Sequence, residues 1–140
     1  MRYEATQEID AGLDHVWKVL DDVENWPRWT STMRRVRRLD TGDFGVGSRC
    51  RIEQPRLPAA VWEVTDHRPQ RTWTWQTRTP GLTTRAEHHL TPLPNGGVRL
   101  VQVIVQTGPL EPVARLLYGG LVRRYIDTEG EGLRRYCEGR

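Results

Sequence analysis

VRLVQVIVQTGPLEPVARLLYGGLVRRYIDTEGEGLRRYC, residues 98–137, contains the change of pattern that decides the fold. Its first ten residues are the most β-rich run in the chain, dominated by β-branched side chains that suit a pleated, half-buried surface. The pattern stops at Pro109. Pro112 stands where a proline is tolerated in a first helical turn, so the spacing predicts one long helix from there to about Cys137. Val113, Leu117, Leu121, Tyr125, Leu133 and Tyr136 keep close to a helical period, with Arg115, Arg123, Arg124, Arg134 and Arg135 mostly between them. This helix is expected to lay one apolar face on something large. Gly119, Gly120, Gly130 and Gly132 each cost about 1 kcal/mol relative to alanine inside a helix, which points to close packing, a bend or a ligand.

Upstream of the strand, Asn95-Gly96 is a strong hairpin signal, and residues 83–90, 71–78 and 60–67 read as three strands punctuated by Pro80-Gly81, Pro69 and Pro58. Residues 47–54 and 33–40 form a further expected pair around the glycine-rich turn TGDFGVG. At the N-terminus, residues 3–9 alternate in polarity as a strand, and Asp10 is placed to cap a helix starting near residue 12 or 13. Leu13, Val16, Trp17 and Leu20 then share one helical stripe. Asp21-Asp22 ends it, and VENWPRW makes a second short helix or turn around Pro27. The order is strand, two short helices, six strands, long helix. That is an α+β chain of one domain over residues 1–140, with the last helix packed on a sheet of successive hairpins.

The totals agree with a globular chain. Hydrophobic residues make up 36% and charged residues 28% of the 140, outside the composition of disordered chains. No apolar run approaches the roughly 18 residues needed to span a bilayer, and MRYEATQEID does not resemble a secretion signal, so a cytoplasmic protein is expected. Cys50 and Cys137 read as reduced packing residues. The formal net charge of +3 is ordinary for this size, and a solvated basic surface is favoured over nucleic-acid binding.

The segments VWKVLDDVENWPRW (16–29), WEVTDHRPQRTWTWQT (62–77) and HHLTPLPNGGVRL (88–100), together with the final helix, resemble the START-like (SRPBCC) superfamily that includes polyketide cyclases and dehydrases. The most specific part is Trp17 followed by the corner Trp26-Pro27-Trp29; Gly12 stands where such proteins commonly carry proline. The resemblance implies a helix-grip fold, in which seven strands curl around the C-terminal helix and leave a cavity. It speaks to architecture, and the function has to come from the pocket.

Six tryptophans against one phenylalanine is an unusual balance, because each indole brings an N–H that needs a partner. Trp17 belongs to the core by register, and Trp29 is expected at the cavity border. Trp73 and Trp75 are two apart on one strand and so share a face, expected to be the interior. Stacked with Trp62 on the preceding strand, they would make a flat wall for a planar ring system; the alternative is an ordinary aromatic core without ligand. Tyr118, Leu121 and Tyr125 on the last helix complete the expected ligand-binding set.

His88 and His89 are adjacent on a strand and point to opposite faces, so they cannot share a metal without a bulge. His88 lies on the more apolar face and is the candidate acid/base; Arg85 joins it as a catalytic candidate only if a bulge changes the alternation. No nucleophile, metal, phosphate or dinucleotide motif is present, and no cofactor is expected. Three functions compete. One is a carrier of an apolar or aromatic small molecule; another is a cyclase or dehydratase that folds a poly-β-ketone and moves protons. The third is an interaction module in which Arg34, Arg35, Arg37 and Arg38 of MRRVRRL meet an acidic carrier protein.

Overall fold

The computed structural model describes residues 1–139. Seven strands form one antiparallel sheet in the order β1-β7-β6-β5-β4-β3-β2, where β1 is Arg2–Ile9, β2 Arg35–Arg38, β3 Arg49–Glu53, β4 Ala60–Arg68, β5 Thr72–Thr79, β6 Leu82–Pro92 and β7 Val98–Thr107. Two helices accompany them, α1 (Leu13–Asp21) and α2 (Glu111–Cys137), with a short 3₁₀ helix at Val23–Arg28. Consecutive strands from β2 to β7 are neighbours, and β1 closes the far side of β7. The strands that chain order predicts are all present, the β2 pair being shorter than its sequence suggests.

The side-chain alternation explains which face of the sheet is dry. On β7, Val98, Leu100, Gln102, Ile104 and Gln106 are buried, while Arg99 and Thr107 are exposed. On β6, Thr84, Ala86, His88 and Leu90 turn the same way. The register matches them across the strands as Thr84↔Gln106, Ala86↔Ile104, His88↔Gln102 and Leu90↔Leu100. A bulge between Val64 and Asp66 interrupts the pairing of β4 with β5; such an insertion bends the strand.

α1 buries Val16, Trp17 and Leu20, as its stripe predicts, but its N-cap is Gly12 and no side chain caps it. Asp10, the expected cap, instead has its backbone N–H bonded to the Glu138 carboxylate at 2.8 Å. The chain leaves β1 through the extended Gly12 directly into the helix, so Asp10 is too far back to reach the first-turn donors.

α2 corrects the expected apolar face. Val113, Leu117 and Tyr136 are exposed, and the buried line is Ile126, Glu129, Gly130, Leu133 and Cys137. Its first two turns carry apolar residues on every side, so periodicity alone could not orient them, and the true stripe is disguised by an acid at 129. Two of the four glycines are there for close approach. A Cβ at Gly132 would stand 2.1 Å from the Trp29 carbonyl oxygen, and one at Gly130 would stand 3.0 Å from Gln102 Oε1 and Gln7 Cγ. Gly120 has open space around it. The helix runs unbroken over its 27 residues. Among the described residues no helix is long and apolar enough to cross a membrane.

Candidate functional site: a cavity between the sheet and α2

The sheet and α2 do not close on each other along their whole length. At Gly130 α2 touches Gln7 of β1 and Gln102 of β7, and at Gly132 it touches Trp29 at the end of the 3₁₀ helix; nearer its start, α2 and the sheet part around a cavity of about 320 Å³. Its walls are mostly apolar: Ile52, Trp62, Trp75, Ala86 and Ile104 from the sheet, Val122 and Ile126 from α2, and Trp26 from the 3₁₀ corner. Pro58, Ala59, Thr79 and Tyr118 line it and are also exposed, which places the mouth between the β3–β4 loop, the end of β5 and the first turns of α2.

The tryptophans divide differently from the expectation. Trp62 and Trp75 line the cavity, but Trp73 and Trp29 do not, and Trp26 takes the place at the boundary expected for Trp29. Trp29 packs on α2 at Gly132, whereas Trp26 inserts into the centre of the fold with its Nε1–H donating to the Leu20 carbonyl at 3.0 Å. Nor is the wall flat. Trp62 and Trp75 are 5.7 Å apart and tilted by 46°, and Trp73 meets Trp75 edge-on at 4.8 Å and 89°. Edge-to-face contact suits the ring quadrupoles better than a stack. Trp73 is fully buried one layer deeper, ringed by Trp26, Phe44 and His88.

His88 lies in the cavity wall, only 2% exposed. Its Nδ1 is 3.1 Å from the Trp73 carbonyl oxygen, which can only accept, so Nδ1 carries the proton. That leaves Nε2 as a lone-pair acceptor without a partner among the described residues. Burial pushes the His88 pKa down to about 4, so the ring is neutral over the physiological range. His89 points to the other side, where its ring bonds Glu87 at 2.8 Å and Thr72 at 3.1 Å.

Arg85 is on that outer face too. It is exposed, its Nε bonds Glu87 at 3.0 Å, and β6 pairs regularly with both neighbours, with no bulge to turn it inward. The structure therefore separates Arg85 from His88. Leu121 is likewise outside the cavity wall, its place taken by Val122, while Tyr118 and Tyr125 line the cavity. The Tyr125 hydroxyl donates to the Pro55 carbonyl and ties the β3–β4 loop to α2.

Glu129 is the group that sequence reading missed. It lines the cavity from α2, 5% exposed, and accepts from the Thr32 hydroxyl at 3.0 Å and from Gln102 Nε2 at 3.3 Å. Burial outweighs those two bonds and raises its pKa to about 7. Gln102 is itself opposite His88 across the strands, so one buried polar row runs from His88 through Gln102 to Glu129 and Thr32. The available signal was an acid at the helical spacing of Val122, Ile126 and Leu133. Gln106 adds a further polar group, its Nε2 3.3 Å from Thr84 Oγ1 and its Oε1 without a partner.

The arginine-rich segment forms the edge strand β2. Arg34, Arg35 and Arg37 face solvent, Val36 is buried, and Arg38 is held by Asp40 and the Gly42 carbonyl. It lies at the opposite end of the sheet from β1 and β7. Cys50 and Cys137 are both buried and unpaired, and burial raises each thiol pKa to about 11.

A seven-stranded antiparallel sheet gripping one long C-terminal helix around a ligand-sized cavity defines the helix-grip class of START-like proteins. Within that class, the chain belongs to the polyketide cyclase / dehydrase and lipid transport family, whose model matches residues 1–138. No curated protein sequence matches it. Among solved structures it is similar to TTHA0849 from Thermus thermophilus, with TM-score 0.80 at 14% identity, covering 99% of this chain and 98% of that one. It is also similar to the Zhui aromatase/cyclase from Streptomyces sp. R1128, with TM-score 0.79 at 19% identity over 99% and 93% of the two chains. The di-domain aromatase/cyclase BexL of the BE-7585A biosynthetic pathway gives TM-score 0.76 at 16% identity, over 96% of this chain and 45% of that one.

Proposed function

We propose that the cavity binds a ring-bearing apolar small molecule, and that a poly-β-ketone held there is cyclised and dehydrated by proton movement at Glu129. The observation that carries the reading is a buried carboxyl group, Glu129, in the wall of a mostly apolar cavity lined by tryptophans, where burial raises its pKa to about 7. A plain carrier would gain nothing from a buried acid that costs desolvation energy. A proton-transfer site gains most when its pKa sits near the working pH. The aromatase/cyclase names of two structural relatives point the same way.

In this scheme Glu129 as carboxylate takes a proton from a methylene between two ketones. The resulting enolate carbon bonds to a distant carbonyl carbon, whose π bond opens to an alkoxide, and the alkoxide takes the proton back from the Glu129 acid to become a hydroxyl. The regenerated carboxylate removes the neighbouring α-proton, the C–O bond breaks as the C=C bond forms, and the Glu129 acid gives that proton to the departing hydroxyl, which leaves as water. His88 does not serve as the base, because with its pKa near 4 it is too weak; its free Nε2 accepts a substrate hydroxyl and fixes the pose. Trp62 and Trp75 hold the nascent ring, and Tyr118 and Tyr125 border its entry.

The test is turnover of a reactive poly-β-ketone mimic, followed by the ultraviolet absorbance of the aromatic product. Wild type should change the product distribution or rate, Glu129→Gln should lose about a hundredfold or more of it, and Arg85→Ala should keep it. Saturable binding of the mimic with no effect on its conversion would leave a carrier and remove the catalytic role.

A further inference from the structure

The first two turns of α2 leave large apolar side chains exposed. Leu116 is 85% and Leu117 66% exposed, and Leu110 and Val113 are about half exposed. Four large aliphatic side chains in so short a stretch of helix are not the scattered surface residues that every protein carries. The same two turns put Ala114 and Tyr118 at the cavity mouth, so the patch borders the way in.

The two segments that border the mouth carry mostly positive charge. The β3–β4 loop (54–59) and the helix segment 110–126 together carry Arg56, Arg115, Arg123 and Arg124 against a single acid, Glu111. That acid is already engaged, 2.7 Å from the N-terminal amine and 3.6 Å from Arg115. Arg123 lies over the Tyr3 ring at 5.8 Å, and Arg56 and Arg124 have no ion-pair partner among the described residues. Arg56 is held in the left-handed region at φ 66°, in a loop fastened to α2 by the Tyr125–Pro55 hydrogen bond.

We infer that the start of α2 and the loop 55–59 dock on an anionic lipid surface, with the leucines in the acyl boundary, the arginines among the headgroups, and the cavity mouth facing the bilayer. Exposed aliphatic side chains in segments that also carry the unpaired cations Arg56 and Arg124 are the pattern of a peripheral membrane contact, in which apolar burial and attraction to acidic lipids add. A second copy of the chain fits less well. A two-fold contact would bring the same arginines against each other, and four aliphatic side chains cannot supply the roughly 800 Å² per partner of a stable interface. Docking would let an apolar ligand pass between bilayer and cavity without crossing water, and the surface stands whether or not the cavity performs chemistry.

Flotation of the full chain with phosphatidylcholine vesicles, with and without phosphatidylserine, tests this. The expected result is recovery with the phosphatidylserine vesicles only, falling several-fold between low and physiological salt. Leu116→Asp/Leu117→Asp should abolish it, and Arg56→Glu/Arg124→Glu should weaken it several-fold; all four sites are exposed, so circular dichroism should be unchanged. A dye placed through Leu116→Cys, with both native thiols buried, should shift its emission on phosphatidylserine vesicles alone. No recovery at low salt by folded wild type would overturn the inference, as would recovery that ignores the leucine substitutions. So would a wild-type dimer in sedimentation that the leucine pair dissolves, since the patch would then belong to self-association.

Discussion

Two buried titrating groups of opposite habit share the cavity, and together they should hide each other in the stability of the wild-type protein. Glu129 is raised from 4.5 to about 7. Below pH 4.5 it is protonated folded or unfolded, and its contribution is fully present; between 4.5 and 7 the unfolded chain releases the proton first, so stability falls as pH rises. His88 is lowered from 6.5 to about 4. Its contribution is full above pH 6.5 and is lost as pH falls towards 4, because the unfolded chain then takes up the proton first. Each slope is at most about 1.4 kcal/mol per pH unit and each total is about 3 kcal/mol. Between pH 4.5 and 6.5 the two nearly cancel. Glu129→Gln keeps the amide within reach of Thr32 and Gln102 and removes one slope, so its stability should climb by about 2 kcal/mol from pH 4.5 to 6.5 relative to wild type. His88→Gln should do the reverse and lose a similar amount over that window. Urea unfolding at half-unit pH intervals, with each variant subtracted from wild type, removes the contributions of Glu87, Glu111 and other shared groups. Difference curves that are flat, or whose signs are exchanged, would refute the assignment of a protonated Glu129 and a neutral His88.

Three further outcomes follow from the packing. Gly132→Ala should destabilise by about 3 kcal/mol, because its Cβ meets the backbone of Trp29 and not a movable side chain, whereas Gly120→Ala should gain up to about 1 kcal/mol of helix propensity; thermal melts read both. Cys50 and Cys137 should resist a thiol reagent at pH 8 in the native protein and react at once in urea, and fast native labelling would contradict their burial. Arg85→Ala should leave small-molecule binding within a factor of two, since its guanidinium pairs with Glu87 on the outer face; a large loss would mean that β6 is turned over.

The architecture was open to sequence reading because each element carries its own local signal. Asn95-Gly96 and the alternation on β7 fix a hairpin and a dry face, and the stripe of α1 names its buried side. The inward turn of His88 and the outward turn of Arg85 follow from that alternation once no bulge intervenes. The site was less legible where long-range packing decides. Trp26 and Trp29 flank one proline, and only the approach of α2 at Gly132 shows which of them reaches the cavity. Likewise, the apolar first turns of α2 look the same from all sides until the sheet selects one, and Glu129 passes for a surface acid until Thr32 and Gln102, distant in sequence, are seen to enclose it.

The central claim, that the space between sheet and helix admits a guest, is tested most directly by titrating the protein with the neutral fluorophore N-phenyl-1-naphthylamine while exciting tryptophan. With Trp62 and Trp75 in the wall, one saturable equivalent should bind with energy transfer from the indoles, and Ala86→Phe, which fills the cavity from β6, should weaken it at least tenfold while leaving the far-ultraviolet circular dichroism unchanged. Absence of saturable binding, or the same affinity in Ala86→Phe, would contradict it.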